Sequence, residues 1–165
     1  MATIDMSAGT AAHDAATPFR SVPYLREMEV DFAVATTTKG SALAASDVIQ
    51  TLDIPAGTAI LFATMEVTEA MTGTSTDLAL DLGITGGDVD NFVDGFDFDG
   101  ASVGDYATPV AYGTGTKPLV VTTDDTLDIL IQAQTGTFTG GKVKVKALVV
   151  DITGQSAPGH ATAGS

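Results

Sequence analysis

Residues 86–101 read GGDVDNFVDGFDFDGA and place five aspartates, Asp88, Asp90, Asp94, Asp97 and Asp99, within twelve residues. Phe92, Val93, Phe96 and Phe98 are threaded between them. Closely spaced carboxylates are calcium chemistry, because that ion takes six to eight oxygens. The helix-loop-helix calcium order needs acids at loop positions one, three and five. Counting from Asp88, the fifth position is Phe92; counting from Asp97, it is Ala101. Repeated calcium-binding nonapeptides are absent as well, so no metal site is assigned. The segment reads instead as a long exposed connection between strands. Its aspartates keep it soluble, and its phenylalanines pack on their own domain or on a sister subunit. Aromatics flanked by charge suit an interface, which makes Phe92, Phe96 and Phe98 candidate partner-binding residues.

Catalytic arrangements are poorly supplied. The two histidines, His13 and His160, lie in low-complexity ends. A nucleophile–histidine–acid array needs one of them held rigidly beside a serine, and no G-x-S-x-G elbow occurs. Thiol chemistry, disulfides and thiolate metal sites are excluded by the lack of cysteine. Aspartates are plentiful enough for glycoside cleavage, but there is no tryptophan to form a sugar platform. The Gly-rich stretches 83-GITGG-87 and 136-GTFTGG-141 lack the Lys-Ser/Thr of a phosphate loop and read as turns. The expectation is a protein that is not an enzyme and needs no cofactor. Lys142, Lys144 and Lys146 alternate along one run and read as protection of a sheet edge, since lysines deter edge-to-edge pairing.

The formal net charge of −14 rests on only seven basic residues. Such a chain is repelled by phosphate backbones and anionic membrane surfaces, which argues against nucleic-acid binding. It favours solubility or a partner with a basic surface. No run approaches the roughly 18 apolar residues of a membrane helix. The first residues, MATIDMSAGTAAHD, lack the basic and apolar regions of a signal peptide.

The elements that must position these groups are strands. The chain is rich in threonine, valine, glycine and aspartate and poor in glutamate. Met28, Val30, Phe32 and Val34 alternate with acids over 27–34. Leu78, Leu80, Leu82 and Ile84 do so over 77–84, and Leu127, Ile129 and Ile131 over 126–133. Such spacing lines one face of a half-buried strand. Residues 47–54, 58–70, 118–123 and 142–152 read as further strands. The first half of 58–70 and the second half of 142–152 are apolar on both faces, as in a strand running between two layers. Gly-rich turns separate the runs, including a seven-residue loop over 135–141. Together these features predict one all-β domain, an antiparallel sandwich, over 26–152; jelly roll is the preferred topology, and periodicity alone does not separate it from an immunoglobulin-like sandwich. An extended N-terminal arm (1–25) and a low-complexity C-terminal tail (153–165) flank it.

Three stretches, 47-DVIQTLDIPAGTAILFATMEVTEA-70, 78-LALDLGITGGDVDNFVDGFD-97 and 125-DTLDILIQAQTGTFTGGKVKVKALVVDI-152, resemble small structural proteins of tailed bacteriophages. In particular they resemble head decoration, or capsid cement, proteins with a jelly-roll-like fold. The resemblance implies a homotrimer on the outer surface of the virion, bound to the major capsid protein and clamping neighbouring capsid subunits. On that reading the arm meets the shell, with Pro18, Phe19, Pro23 and Tyr24 as anchors and Arg20 and Arg26 pairing with capsid acids. Two rival readings are a phage tail-fibre or receptor-binding module and a calcium-dependent bacterial adhesin domain.

Overall fold

The computed structural model describes residues 2–5, 22–84, 88–110 and 118–152. Among the described residues are nine strands and one helix. The strands are β1 (Thr3–Asp5), β2 (Tyr24–Asp31), β3 (Val48–Ile54), β4 (Thr58–Gly73), β5 (Ala79–Ile84), β6 (Val93–Asp97), β7 (Leu119–Val121), β8 (Asp125–Ala133) and β9 (Phe138–Asp151); the helix is α1 (Phe32–Lys39). One sheet has the order β1-β3-β8-β5-β6 and the other β2-β9-β4-β7.

The pairing is nested. β2 pairs with β9, β3 with β8, β4 with β7 and β5 with β6, all antiparallel. Counted from β2, with β1 as an added edge strand, first pairs with last and second with next to last, which is the double Greek key of a jelly roll. β9 then pairs with β4, and β8 with β5, completing each sheet. The expected all-β sandwich is therefore the observed one. Alternate residues of the two sheets meet between them: Val30, Met65, Val67, Val143, Val145 and Val149 on one side, and Ile49, Leu52, Leu80, Leu82, Ile129 and Ile131 on the other, all buried. Each such side chain contributes about 1.5–3 kcal/mol by leaving water.

Three expectations are corrected in detail. The alternation over 27–34 predicts a strand, but β2 stops at Asp31 and α1 begins at Phe32. The Asp31 carboxylate accepts the N–H groups of Ala33 (2.9 Å) and Val34 (3.3 Å), which caps a helix start. Gly40, with φ of 76°, ends the helix by donating its N–H to the carbonyls of Thr36 and Thr37. The seven-residue loop over 135–141 is shorter, because β9 already starts at Phe138. The lysine-bearing strand is also no edge: β9 lies between β2 and β4.

The end of the sandwich under α1 is closed by aromatic rings. Phe32 lies 4.8 Å from Phe138 and 5.3 Å from Phe98, centroid to centroid, and Phe98 meets Phe138 edge-on at 6.0 Å. All three are fully buried.

Within the expected arm, Thr3–Asp5 form β1, a parallel edge strand on β3, and β2 already begins at Tyr24. Ile4 is 2% exposed and belongs to the core. The buried Asp47 holds this strand: its carboxylate accepts Ala2 N–H (3.0 Å) and Ala44 N–H (2.9 Å) and pairs with the Lys39 ammonium. Burial pushes this carboxyl up, but the Lys39 hydrogen bond and the two amides outweigh it and hold Asp47 below the usual range. The expected tail, 153–165, lies outside the described residues.

Truncating Phe98 to alanine opens a cavity among three rings that cannot all collapse into it. The expected cost is about 3–5 kcal/mol, read as a lower urea midpoint at unchanged slope; a shift near zero would show that the rings do not hold this end together.

Candidate partner-binding surfaces

The Asp-rich segment is not one loop. Val93–Asp97 form β6, and the aspartates diverge to separate tasks. Asp97 accepts the Gly100 N–H (3.0 Å), Asp99 the Leu78 N–H (2.5 Å), and Asp94 the Gln132 side-chain amide (3.3 Å). Asp88 and Asp90 share a hydrogen bond, which, with some burial and the Asp88 charge, raises the Asp90 carboxyl above the usual range. Among the described residues no three histidine, aspartate or glutamate side chains are arranged to hold a metal ion. Asp97 ties down its own turn, as short acidic side chains do, and Asp99 reaches back to the residue that precedes β5. Phe92 and Phe98 are fully buried and Phe96 is partly buried against the same core. Of the two packing alternatives, the rings take their own domain, and Phe92 and Phe98 present no surface to a partner.

Asp81, expected on a solvent-facing side of β5, is buried. The β5–β6 register shifts between Leu80 and Leu82, and at this irregularity the Asp81 carboxylate accepts the Gly95 N–H at 2.7 Å. The segment after β5 returns over this face: a Cβ at Gly83 would lie 2.2 Å from the Asp88 carbonyl oxygen. Burial raises the Asp81 carboxyl, partly offset by the Gly95 amide and reinforced by Asp94.

The lysines form a ladder on the outer face of the second sheet. Across from Lys142, Lys144 and Lys146 stand Asp31, Glu29 and Glu27 on β2, with Glu69 and Glu66 on β4. Lys142 pairs with Glu69 (3.4 Å) and Asp31 (3.6 Å), and Lys146 with Glu66 (2.5 Å) and Glu27 (3.7 Å). Lys146 also donates to the Tyr106 hydroxyl (3.1 Å) and lies over that ring. The Glu66 hydrogen bond, then Tyr106, raises the Lys146 ammonium further above its ordinary value; the Lys146 hydrogen bond is the main cause holding Glu66 down. The stripe is thus cross-strand pairing inside a sheet. Opposite charges on β2 and β4 are what sequence spacing alone left unmatched.

The arm residues divide. Pro23 is exposed, and Tyr24 is half-buried and packs on the core. Arg26 donates to the Asp53 carbonyl and so laces β2 to β3 across the gap between the sheets. Pro18, Phe19 and Arg20 lie outside the described residues, as do His13 and His160.

One surface was missed. Leu25, Leu148 and Phe62 face each other across β2, β9 and β4, and in the next row Val150 and Val120 flank Ala59, which is itself buried, across β9, β4 and β7. Leu25 is 57% exposed, Val120 44% and Phe62 41%. The sequence signal was the two-sided apolar character of 58–62 and 147–150. It was read as burial between layers, but among the described residues the outer face there carries no layer.

No family model matches the chain, and no curated protein matches it. Solved structures do share its fold. A chain of the capsid of Ralstonia phage GP4 superimposes with a TM-score of 0.63 at 15% identity, over 91% of this chain and 98% of that one. A chain of the Cyanophage Pam1 capsid asymmetric unit gives 0.55 at 18% identity, over 87% and 95%. One from the acidic stable capsid structure of the Helicobacter pylori bacteriophage KHP30 gives 0.51 at 19% identity, over 79% and 89%.

The raised Asp81 carboxyl has a sign. Ionising it costs folding free energy at neutral pH, and the cost disappears as pH falls through its raised value towards the ordinary aspartate range. Asp81→Asn keeps an acceptor for Gly95 and removes the charge. It should therefore melt higher than wild type at pH 7, with the gap closing in acid; a gap that widens in acid would contradict this environment for Asp81.

Proposed function

We propose that this protein is a virion structural protein that decorates the outer surface of a tailed-phage capsid, as a trimer that bridges neighbouring capsid subunits. The observation that carries the reading is the fold match. Eight strands in nested jelly-roll pairing superimpose on nearly the whole of chains found in three phage capsids, at 89–98% of those chains' lengths.

Charge supports the outer position. A chain of net charge −14 placed inside a DNA-filled shell would face packaged phosphate, and like charges in proximity repel. On the outside the same acidity keeps many copies from clumping while a basic capsid patch attracts them. The described carboxylates serve turns, bulges and the lysine ladder, an arrangement suited to rigidity rather than turnover. Stabilisation then follows from linkage: a protein that binds only the assembled shell favours assembly by mass action, and many copies multiply a modest free energy per site.

The arm supplies the shell contact in this reading, through Pro18, Phe19, Arg20 and the exposed Pro23. Deleting residues 1–20 would also remove β1 and Ile4, so substitution is the cleaner probe. Purified protein should co-sediment saturably with capsids from its source and raise the temperature at which they release DNA. Phe19→Ala with Arg20→Ala should weaken that binding by about tenfold or more while leaving the melting temperature of the free protein unchanged. Absence of wild-type binding would overturn the decoration reading; full binding by the double variant would remove the arm from it.

A further inference from the structure

We propose that the apolar end of the outer face of the β2-β9-β4-β7 sheet is where a second copy of this chain docks. This deepens the trimer part of the reading above by assigning the subunit contact to named residues.

The two rows Leu25–Leu148–Phe62 and Val150–Ala59–Val120 are adjacent, because Leu148 and Val150 are neighbouring outward positions on β9. They form one contiguous apolar area on a sheet whose inner face is already covered. Ile152, just beyond β9 and two residues after Val150, is exposed at the same end. Single exposed apolar residues need no explanation, but a contiguous patch ringed by charge marks a contact.

Charge selects the occupant. Two copies carrying −14 each must meet where their fields are weakest. Lys39 is spent on Asp47, and Arg26 on the Asp53 carbonyl, at the other sheet. The positive charge of the described surface is therefore concentrated on β9, in Lys142, Lys144 and Lys146. There three ammonium groups stand among five carboxylates, Glu27, Glu29, Asp31, Glu66 and Glu69. This face is nearly balanced in a chain that is strongly acidic elsewhere, and its apolar end carries no charge in either row. A second copy can approach it with little repulsion, bury Leu25, Phe62 and Leu148 at the centre, and leave the paired ladder as a polar rim. Desolvated apolar centre and charged rim are the usual anatomy of a protein contact.

The test is the mass of the free protein in solution, with no capsid present, so its failure is distinct from failure of shell binding. Wild type should sediment as an oligomer of the 16.7 kDa chain. Phe62→Glu and Leu25→Glu should sediment as monomers with unchanged far-ultraviolet circular dichroism. Phe62→Thr, a milder change that keeps a strand-forming residue, should raise the dissociation constant by about tenfold or more and reads the contact even if a glutamate disturbs folding. A monomeric wild type would overturn the proposal, as would glutamate and threonine variants that assemble like wild type. Wild-type monomers whose capsid binding is lost in Phe62→Glu would also overturn it, and would make the shell the occupant.

Discussion

The fold depends on one long strand being held from both sides. β9 is the last strand of the sandwich, yet it lies between β2, near the start, and β4, more than seventy residues earlier. Its inner residues, Val143, Val145, Ala147 and Val149, fill the core, and its outer residues carry first the lysine ladder and then the apolar rows. Neither β2 nor β4 can complete its pairing until the end of the chain arrives. Such non-local closure makes folding slow relative to helical domains of similar size, and it makes the sandwich cooperative once formed.

The alternation of β2, β5, β8 and the first half of β9 was legible because burial on one face forces period two, and an antiparallel sandwich of short strands follows from that pattern. What was not legible depended on partners distant in sequence. Phe32 fits the alternation of β2, but Asp31 caps a helix instead, and nothing in the periodicity weighs a cap against one more strand residue. Phe98 sits among aspartates, and the sequence left open whether it packs on its own domain or on a sister subunit; it is buried because Phe32 and Phe138 arrive from elsewhere to receive it. The lysines of β9 suggested an edge because their matching acids lie on β2 and β4, more than seventy residues away. The apolar rows were visible as letters, but whether a two-sided apolar stretch is covered cannot be read from one strand.

The chemistry of the surface divides accordingly. Of the aspartates whose spacing raised the question of calcium, Asp97 fixes a turn and Asp99 holds Leu78; elsewhere Asp31 caps α1 and Asp47 holds β1. In the ladder, Lys142 and Lys146 each pair with acids on both flanking strands. Among the described residues, the apolar area on the outer face of one sheet is left without a covering layer. The fold itself is shared with chains of three phage capsids.

Electron cryomicroscopy of shells saturated with the protein tests this account most directly. The account predicts density for the jelly roll outside the shell, touching at least two capsid subunits at each site. Density confined to the tail, to the inner surface, or to a single capsid subunit would contradict it.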